Sequence, residues 1–230
     1  MQPPPDRARS VRSYVMRAGR ITDAQQRALA DLWPRYGVDF TAAALDLNRL
    51  FGRSAPRTLE IGFGNGEHLL ERALGSPERD FLGIEVHRPG IGHLLLAAGK
   101  AGIGNLRVIA HDAVEVLQCQ IAPGSLDELQ LLFPDPWPKS RHHKRRIVQP
   151  AFAALAASRL THGGRLHLAT DWEPYAQQML DVLAACEALH NCAEHGTYME
   201  HVKVRTATRF ELRGERLGHQ VRELLFARGA

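Results

Sequence analysis

The 230-residue chain has only three cysteines, Cys119, Cys186 and Cys192, at irregular spacing. So few thiols exclude a disulfide framework, and their spacing gives no zinc-ligand pattern. No apolar run approaches the roughly 20 residues that cross a bilayer. The first residues are rich in proline and arginine and lack the apolar segment of a secretory signal. A cytoplasmic protein with no membrane association is therefore expected. There are no internal repeats, and no Gly-x-Gly-x-x-Gly turn of the kind that cradles a dinucleotide pyrophosphate.

What is present is ordinary in amount and uneven in placement. Apolar residues make up 44% and charged residues 23% of the chain, as in globular proteins. The net charge is only +4, so the total says little about a partner, but two runs concentrate the cations. Arg7, Arg9, Arg12, Arg17 and Arg20 face the single acid Asp6 within residues 1–20. Lys139, Arg141, Lys144, Arg145 and Arg146 crowd residues 139–146, with His142 and His143 between them. The reading is a basic arm over residues 1–20, where Pro3-Pro4-Pro5 resists helix, followed by one domain over residues 21–230.

Within that domain, strand and helix patterns alternate. Thr22 suits a helix N-cap, and Pro34 and Gly37 interrupt the helical run after it. Strands are expected at 58–62, 80–85, 106–110, 126–133 and 165–169, with a last one at 221–226. Helices are expected at 66–74, 89–101, 113–121, 146–160 and 172–189. This spacing implies an α/β fold: a doubly wound, mostly parallel sheet of the Rossmann-like type with helices on both faces.

Ligands of such sheets bind at the carboxyl ends of the strands, and chemistry-bearing residues fall there. Gly62, Gly64 and Gly66 follow the first expected strand, and glycine lets a backbone approach a ligand closely. Glu60 precedes that turn; a carboxylate there suits an amine and a sulfonium rather than a pyrophosphate. Glu85 ends the second strand, where an acid can accept both ribose hydroxyls, and Asp112 follows the third, in reach of an adenine amino group. Asp135 and Asp171 follow the fourth and fifth. These positions suit S-adenosyl-L-methionine. In Pro134-Asp135-Pro136-Trp137-Pro138-Lys139, three prolines fix the backbone and present Asp135. Trp137 either stacks on a base or braces the loop. Asp171 either meets substrate or caps the next helix. Thr208-Arg209-Phe210-Glu211 has the form of a helix capping box. The paired His142 and His143 cannot share one metal from a regular element, and no metal is expected.

Together these motifs resemble those of the bacterial tRNA (guanine-N7-)-methyltransferases, which methylate a guanine in the tRNA variable loop. The resemblance covers most of the chain. It runs from Arg12-Ser13-Tyr14-Val15 and Gly19-Arg20-Ile21-Thr22 through Leu59 to Gly64 and Gly83 to His87. It continues through the Phe133–Lys139 loop, His142 to Arg146 and Ala169-Thr170-Asp171, and ends with Thr208 to Glu211, Arg213-Gly214 and Leu217-Gly218-His219. It implies that Glu60, Glu85, Asp112 and Asp135 contact S-adenosyl-L-methionine and that Asp135 is also the active-site acid. By the same resemblance Lys139, Asp171, Thr208, Arg209, Phe210 and Glu211 contact the guanine nucleotide. Arg141, His142, His143, Lys144, Arg145 and Arg146 would touch RNA. Arg209 stands where the family carries lysine, which keeps the cation. A tRNA partner, no obligate protein partner, and a monomer or homodimer are expected. A small-molecule methyltransferase, an RNA-binding protein without catalysis and a dinucleotide dehydrogenase are the rival readings. The two basic runs disfavour the first. The intact glycine turn and acids disfavour the second, and Glu60 the third.

Overall fold

The computed structural model describes residues 13–14, 19–193, 195–199 and 220–229. The chain enters through α1 (Asp23–Asp31). Its start is a full capping box, in which Thr22 accepts from Gln25 N while Gln25 returns a bond to Thr22 N. α2 (Trp33–Tyr36), β1 (Gly37–Val38) and α3 (Leu47–Phe51) come next. Then the regular alternation begins: β2 (Arg57–Ile61), α4 (Glu67–Gly75), β3 (Asp80–Ile84), α5 (Arg88–Ala101), β4 (Leu106–Ile109), α6 (Ala113–Cys119) and β5 (Leu126–Leu132). A 3-10 helix (Ser140–Arg145) leads to α7 (Pro150–Arg159), β6 (Leu160–Thr170), α8 (Glu173–Ala184), β7 (Leu189–Asn191) and β8 (Arg222–Arg228).

The eight strands form one sheet in the order β1-β4-β3-β2-β5-β6-β8-β7. The first six are parallel, and β8 runs antiparallel between β6 and β7. The central strands are apolar throughout because both faces are covered. Leu59, Phe81, Val108 and Leu129 are fully buried. One core lies under α1, α4 and α5 and includes Tyr36, Leu69, Ile91 and Leu94. The other lies under α6, α7 and α8 and includes Val116, Phe152, Tyr175 and Met179. The chain winds outward from β2 to β4, then crosses back to β5 and winds the other way. The topological switch point therefore lies between the carboxyl ends of β2 and β5, and in such sheets that crevice is where ligands sit.

Three elements differ from the sequence expectation. The helix expected from Arg146 begins at Pro150, because proline pushes the residue before it out of the helical region. Gln149 is extended (φ −128°, ψ 163°), and Pro150, which lacks an N–H, starts the helix. The helix expected to reach Leu189 stops at Ala184, and residues 189–191 pair with β8 as an edge strand. The strand expected at 165–169 is longer, Leu160–Thr170, and contains Gly163 and Gly164, where the pairing with β5 jumps from Leu126↔Leu160 to Glu128↔Arg165. Gly163, at φ +73°, gives this bulge the left-handed backbone it needs.

Candidate active site

The turn after β2 contains three glycines in the left-handed region, Gly62 (φ +73°), Gly64 (φ +60°) and Gly66 (φ +81°). They do different work. A Cβ on Gly62 or Gly64 would meet nothing within 4 Å, so their backbone faces open space. A Cβ on Gly66 would strike Leu94 at 2.8 Å, so that glycine serves packing. Gly90 matters on the far side, because its Cβ would lie 2.1 Å from Gly64 O. Only glycine there lets α5 dock against the turn.

Glu85, just past β3, holds the turn in place. Its Oε2 accepts from Gly64 N at 2.9 Å, and its Oε1 accepts from Val86 N and His87 N at 2.6 and 2.9 Å. Three of the roughly four acceptor positions of a carboxylate are thus spent on backbone, and a ribose would share the group with the loop. Glu60 is buried on β2 and accepts from His68 Nδ1 at 2.9 Å. Asp112 caps α6, with Oδ1 accepting from Val114 N at 2.8 Å and Glu115 N at 3.4 Å. Capping uses one oxygen and fixes the orientation of the other.

Across the switch point, Phe133 and Trp137 have positive φ, 51° and 45°. Such values are rare for bulky residues and are held only by their surroundings. Between them Asp135 is exposed, flanked by Pro134 and Pro136. Trp137 is braced from three sides. Its Nε1 donates to Ser13 O at 3.2 Å, His142 meets it edge-on at 5.8 Å, and the Arg145 guanidinium lies 4.9 Å from the ring centre. Lys139, Arg141 and Lys144 are exposed beside this loop, with His142 and His143 half-buried. Slight desolvation and the charges of Arg141, Arg145, Lys139 and Lys144 hold His142 below its usual range, so at neutral pH it is an uncharged member of the cluster.

Arg146 corrects the expectation of an outward cation. It is 3% exposed. Its Nε donates to Pro136 O at 2.8 Å, its Nη1 donates to Gln178 Oε1 at 2.6 Å, and its plane lies 4.7 Å from the Tyr175 ring centre. It is a strut that ties the Asp135 loop to α8. Burial pushes the Tyr175 phenol up to about 12, so it stays protonated and takes Val148 N as a donor at 3.2 Å. The N-cap position of α8 is Trp172, one residue past Asp171; the Trp172 side chain makes no capping bond, and its backbone N–H donates to Thr170 Oγ1 at 3.2 Å. Thr208, Arg209, Phe210 and Glu211 lie outside the described residues. Among the described residues no cluster suits a metal ion. Nothing in the sequence pointed to His68, whose partner stands eight residues back on a strand, or to Gln178.

Open backbone at Gly62 and Gly64, with carboxylates near it, fits a ligand that brings positive charge of its own. S-adenosyl-L-methionine, with an ammonium and a sulfonium, is such a ligand. The class is that of Rossmann-like, S-adenosyl-L-methionine-dependent methyltransferases. The solved structures of the 16S rRNA methyltransferase KamB and of a 16S rRNA (adenine(1408)-N(1))-methyltransferase from Catenulisporales acidiphilia share the fold. The first has a TM-score of 0.59 at 17% identity, over 81% of this chain and 95% of that one. The second has a TM-score of 0.54 at 16% identity, over 84% and 93%. A family model described as "Putative methyltransferase" matches residues 54–224. A protein of Methylococcus capsulatus named tRNA (guanine-N(7)-)-methyltransferase is 56% identical over 97% of this chain and 96% of its own length. A protein of the same name from Leifsonia xyli subsp. xyli is 56% identical over 93% of both chains. The chain belongs to the tRNA (guanine-N(7)-)-methyltransferase family.

Proposed function

We propose that this protein transfers the methyl group of S-adenosyl-L-methionine to N7 of a guanine in the variable loop of tRNA, in the cytoplasm. The observation that carries the reading is the layout of the switch point. An open glycine turn with Glu60 and Glu85 lies on one side, and the exposed Asp135 of a rigid loop leads into a cationic 3-10 helix on the other. This occurs in a chain 56% identical to proteins named for that reaction.

When bound, S-adenosyl-L-methionine supplies a methyl group made electrophilic by its sulfonium. In this reading Glu60 accepts from the ammonium of the methionine moiety, Glu85 takes the ribose and Asp112 the adenine amino group. Asp135 lies at the methyl end. Guanine N7 carries an in-plane lone pair and no proton, so no strong general base is needed. The high phenol value of Tyr175 removes that side chain as one. The work of the chain is alignment and exclusion of water. Asp135 and Asp171 also accept from the guanine N1–H and amino group and stabilise the charge that methylation leaves on the purine. Lys139 and the segment Thr208, Arg209, Phe210 and Glu211 hold the nucleotide. Arg141, His142, His143, Lys144 and Arg145 meet the flanking phosphates, with a salt-sensitive contribution. Incubation with labelled S-adenosyl-L-methionine and unmodified tRNA, followed by digestion, should yield labelled 7-methylguanine from the variable loop. Label on any other atom would refute the reading.

A further inference from the structure

We infer that His68 is a positioning residue for the acid at the cofactor end, and that it holds the Glu60 carboxylate aimed at a cationic group. This rests on the assignment of Glu60 to the ammonium of S-adenosyl-L-methionine. Three observations carry it. His68 Nδ1 lies 2.9 Å from Glu60 Oε2, and the two side chains are only 5% and 4% exposed. His68 Nε2 is buried with no hydrogen-bond partner. Glu60 stands two residues before Gly62, whose backbone faces open space.

The hydrogen-bond network decides the tautomer. A proton on Nδ1 is donated to Glu60. A second proton on Nε2 would be a buried donor with nothing to accept it, which is costly. One proton, on Nδ1, fits the surroundings. The pair Glu60–His68 then carries a net negative charge rather than cancelling itself as a Lys–Glu pair would. A buried, singly capped carboxylate is poorly solvated, and a cation is the partner that relieves it. His68 sits at the second position of α4, directly after the glycine turn. The helix that shapes the turn thus also sets the rotamer of the acid beneath it.

The test separates the amino-acid end of the ligand from the rest. S-adenosylhomocysteine carries the ammonium; 5′-methylthioadenosine has the same nucleoside and thioether without it. Both are titrated calorimetrically into the full chain as wild type, His68→Leu, His68→Asn, His68→Gln, Glu60→Gln and the Glu60→Gln/His68→Leu double variant. His68→Leu should weaken S-adenosylhomocysteine by roughly 10- to 100-fold, the range of a hydrogen bond to a charged group. Its affinity for methylthioadenosine should be unchanged. His68→Asn, whose amide nitrogen replaces Nδ1, should recover most of the loss, and His68→Gln should not. In the Glu60→Gln background the loss should vanish, because the two residues act as one unit. In turnover, KM for S-adenosyl-L-methionine should rise while kcat and KM for tRNA stay. Equal weakening of both ligands by His68→Leu, or additive losses in the double variant, would overturn the positioning role. If His68→Leu does not fold, equal behaviour of the Asn and Gln variants overturns it. A normal His68→Leu beside a defective Glu60→Gln sinks only the role of His68. A Glu60→Gln protein that binds S-adenosylhomocysteine normally sinks the Glu60 assignment itself.

Discussion

Asp135 and Arg146 show how differently two charged residues of one short segment are used. Asp135 is exposed between two prolines, and Arg146 is buried eleven residues on with its guanidinium on Pro136 O. Asp135→Asn should lower kcat by about 100-fold, the scale of losing one preorganised charged group. The melting temperature should be unchanged, and a variant within threefold of wild type would remove Asp135 from the active site. Arg146→Met leaves Pro136 O and Gln178 Oε1 without their donor, at about 1–3 kcal/mol for each buried acceptor. It should lower both melting temperature and kcat while tRNA affinity at fixed salt stays within twofold. Both residues stand out in the sequence, but only Asp135 lies where its residue type suggests. A cation in a basic run is usually solvated, and nothing in the run marks the one member whose side chain is buried.

At the scale of elements, the cationic 3-10 helix is a surface feature with one internal anchor. Lys139, Arg141 and Lys144 are exposed on it or just before it. Each cation that neutralises a phosphate adds about one to the slope of log affinity against log salt. Replacing these three by alanine should therefore reduce that slope for tRNA by about 2–3, while S-adenosylhomocysteine affinity is unchanged. Arg146→Met should not alter the slope. The 3-10 helix has no signature of its own in the residue order; the alanine-rich run from residue 151 is strongly helical, and its pattern extends backward across Pro150. By contrast α5 and the central strands match their expectations to within a residue or two, and α1 starts at its expected Thr22 cap. Their caps are local: the Thr22–Gln25 box and the left-handed Gly102 at the end of α5.

Over the whole molecule, polar side chains pair across the sheet, some half-buried and some buried. On α4, Arg72 makes two bonds, of 3.0 and 2.9 Å, to Glu128 on β5, which also accepts from Gln130 at 2.7 Å. On β6, His167 meets Glu223 of β8 at 2.8 Å. Burial pushes the Glu128 carboxyl up, and the hydrogen bonds and charge of Arg72 overcome that and hold it below its ordinary 4.5. A carboxyl depressed by folding contributes stability that is present above the unfolded value and is lost as pH falls through the folded one. The melting-temperature gap between wild type and Arg72→Met should thus be largest near pH 7 and shrink below about pH 4. A gap that does not change with pH would show that Arg72 acts only by packing. Short-range chemistry in the residue order determines the strands, the glycine turn, the proline-locked loop and their alternation. Left-handed backbone, fixed φ and apolar runs are properties of neighbours along the chain. Tertiary structure alone decides that β2 and β5 lie side by side, that Glu85 spends its oxygens on the turn it faces, and that Arg146 turns inward. It also decides that His68 finds Glu60. These pairings come from packing helices against a sheet, where long-range contact and burial rather than local preference choose each partner.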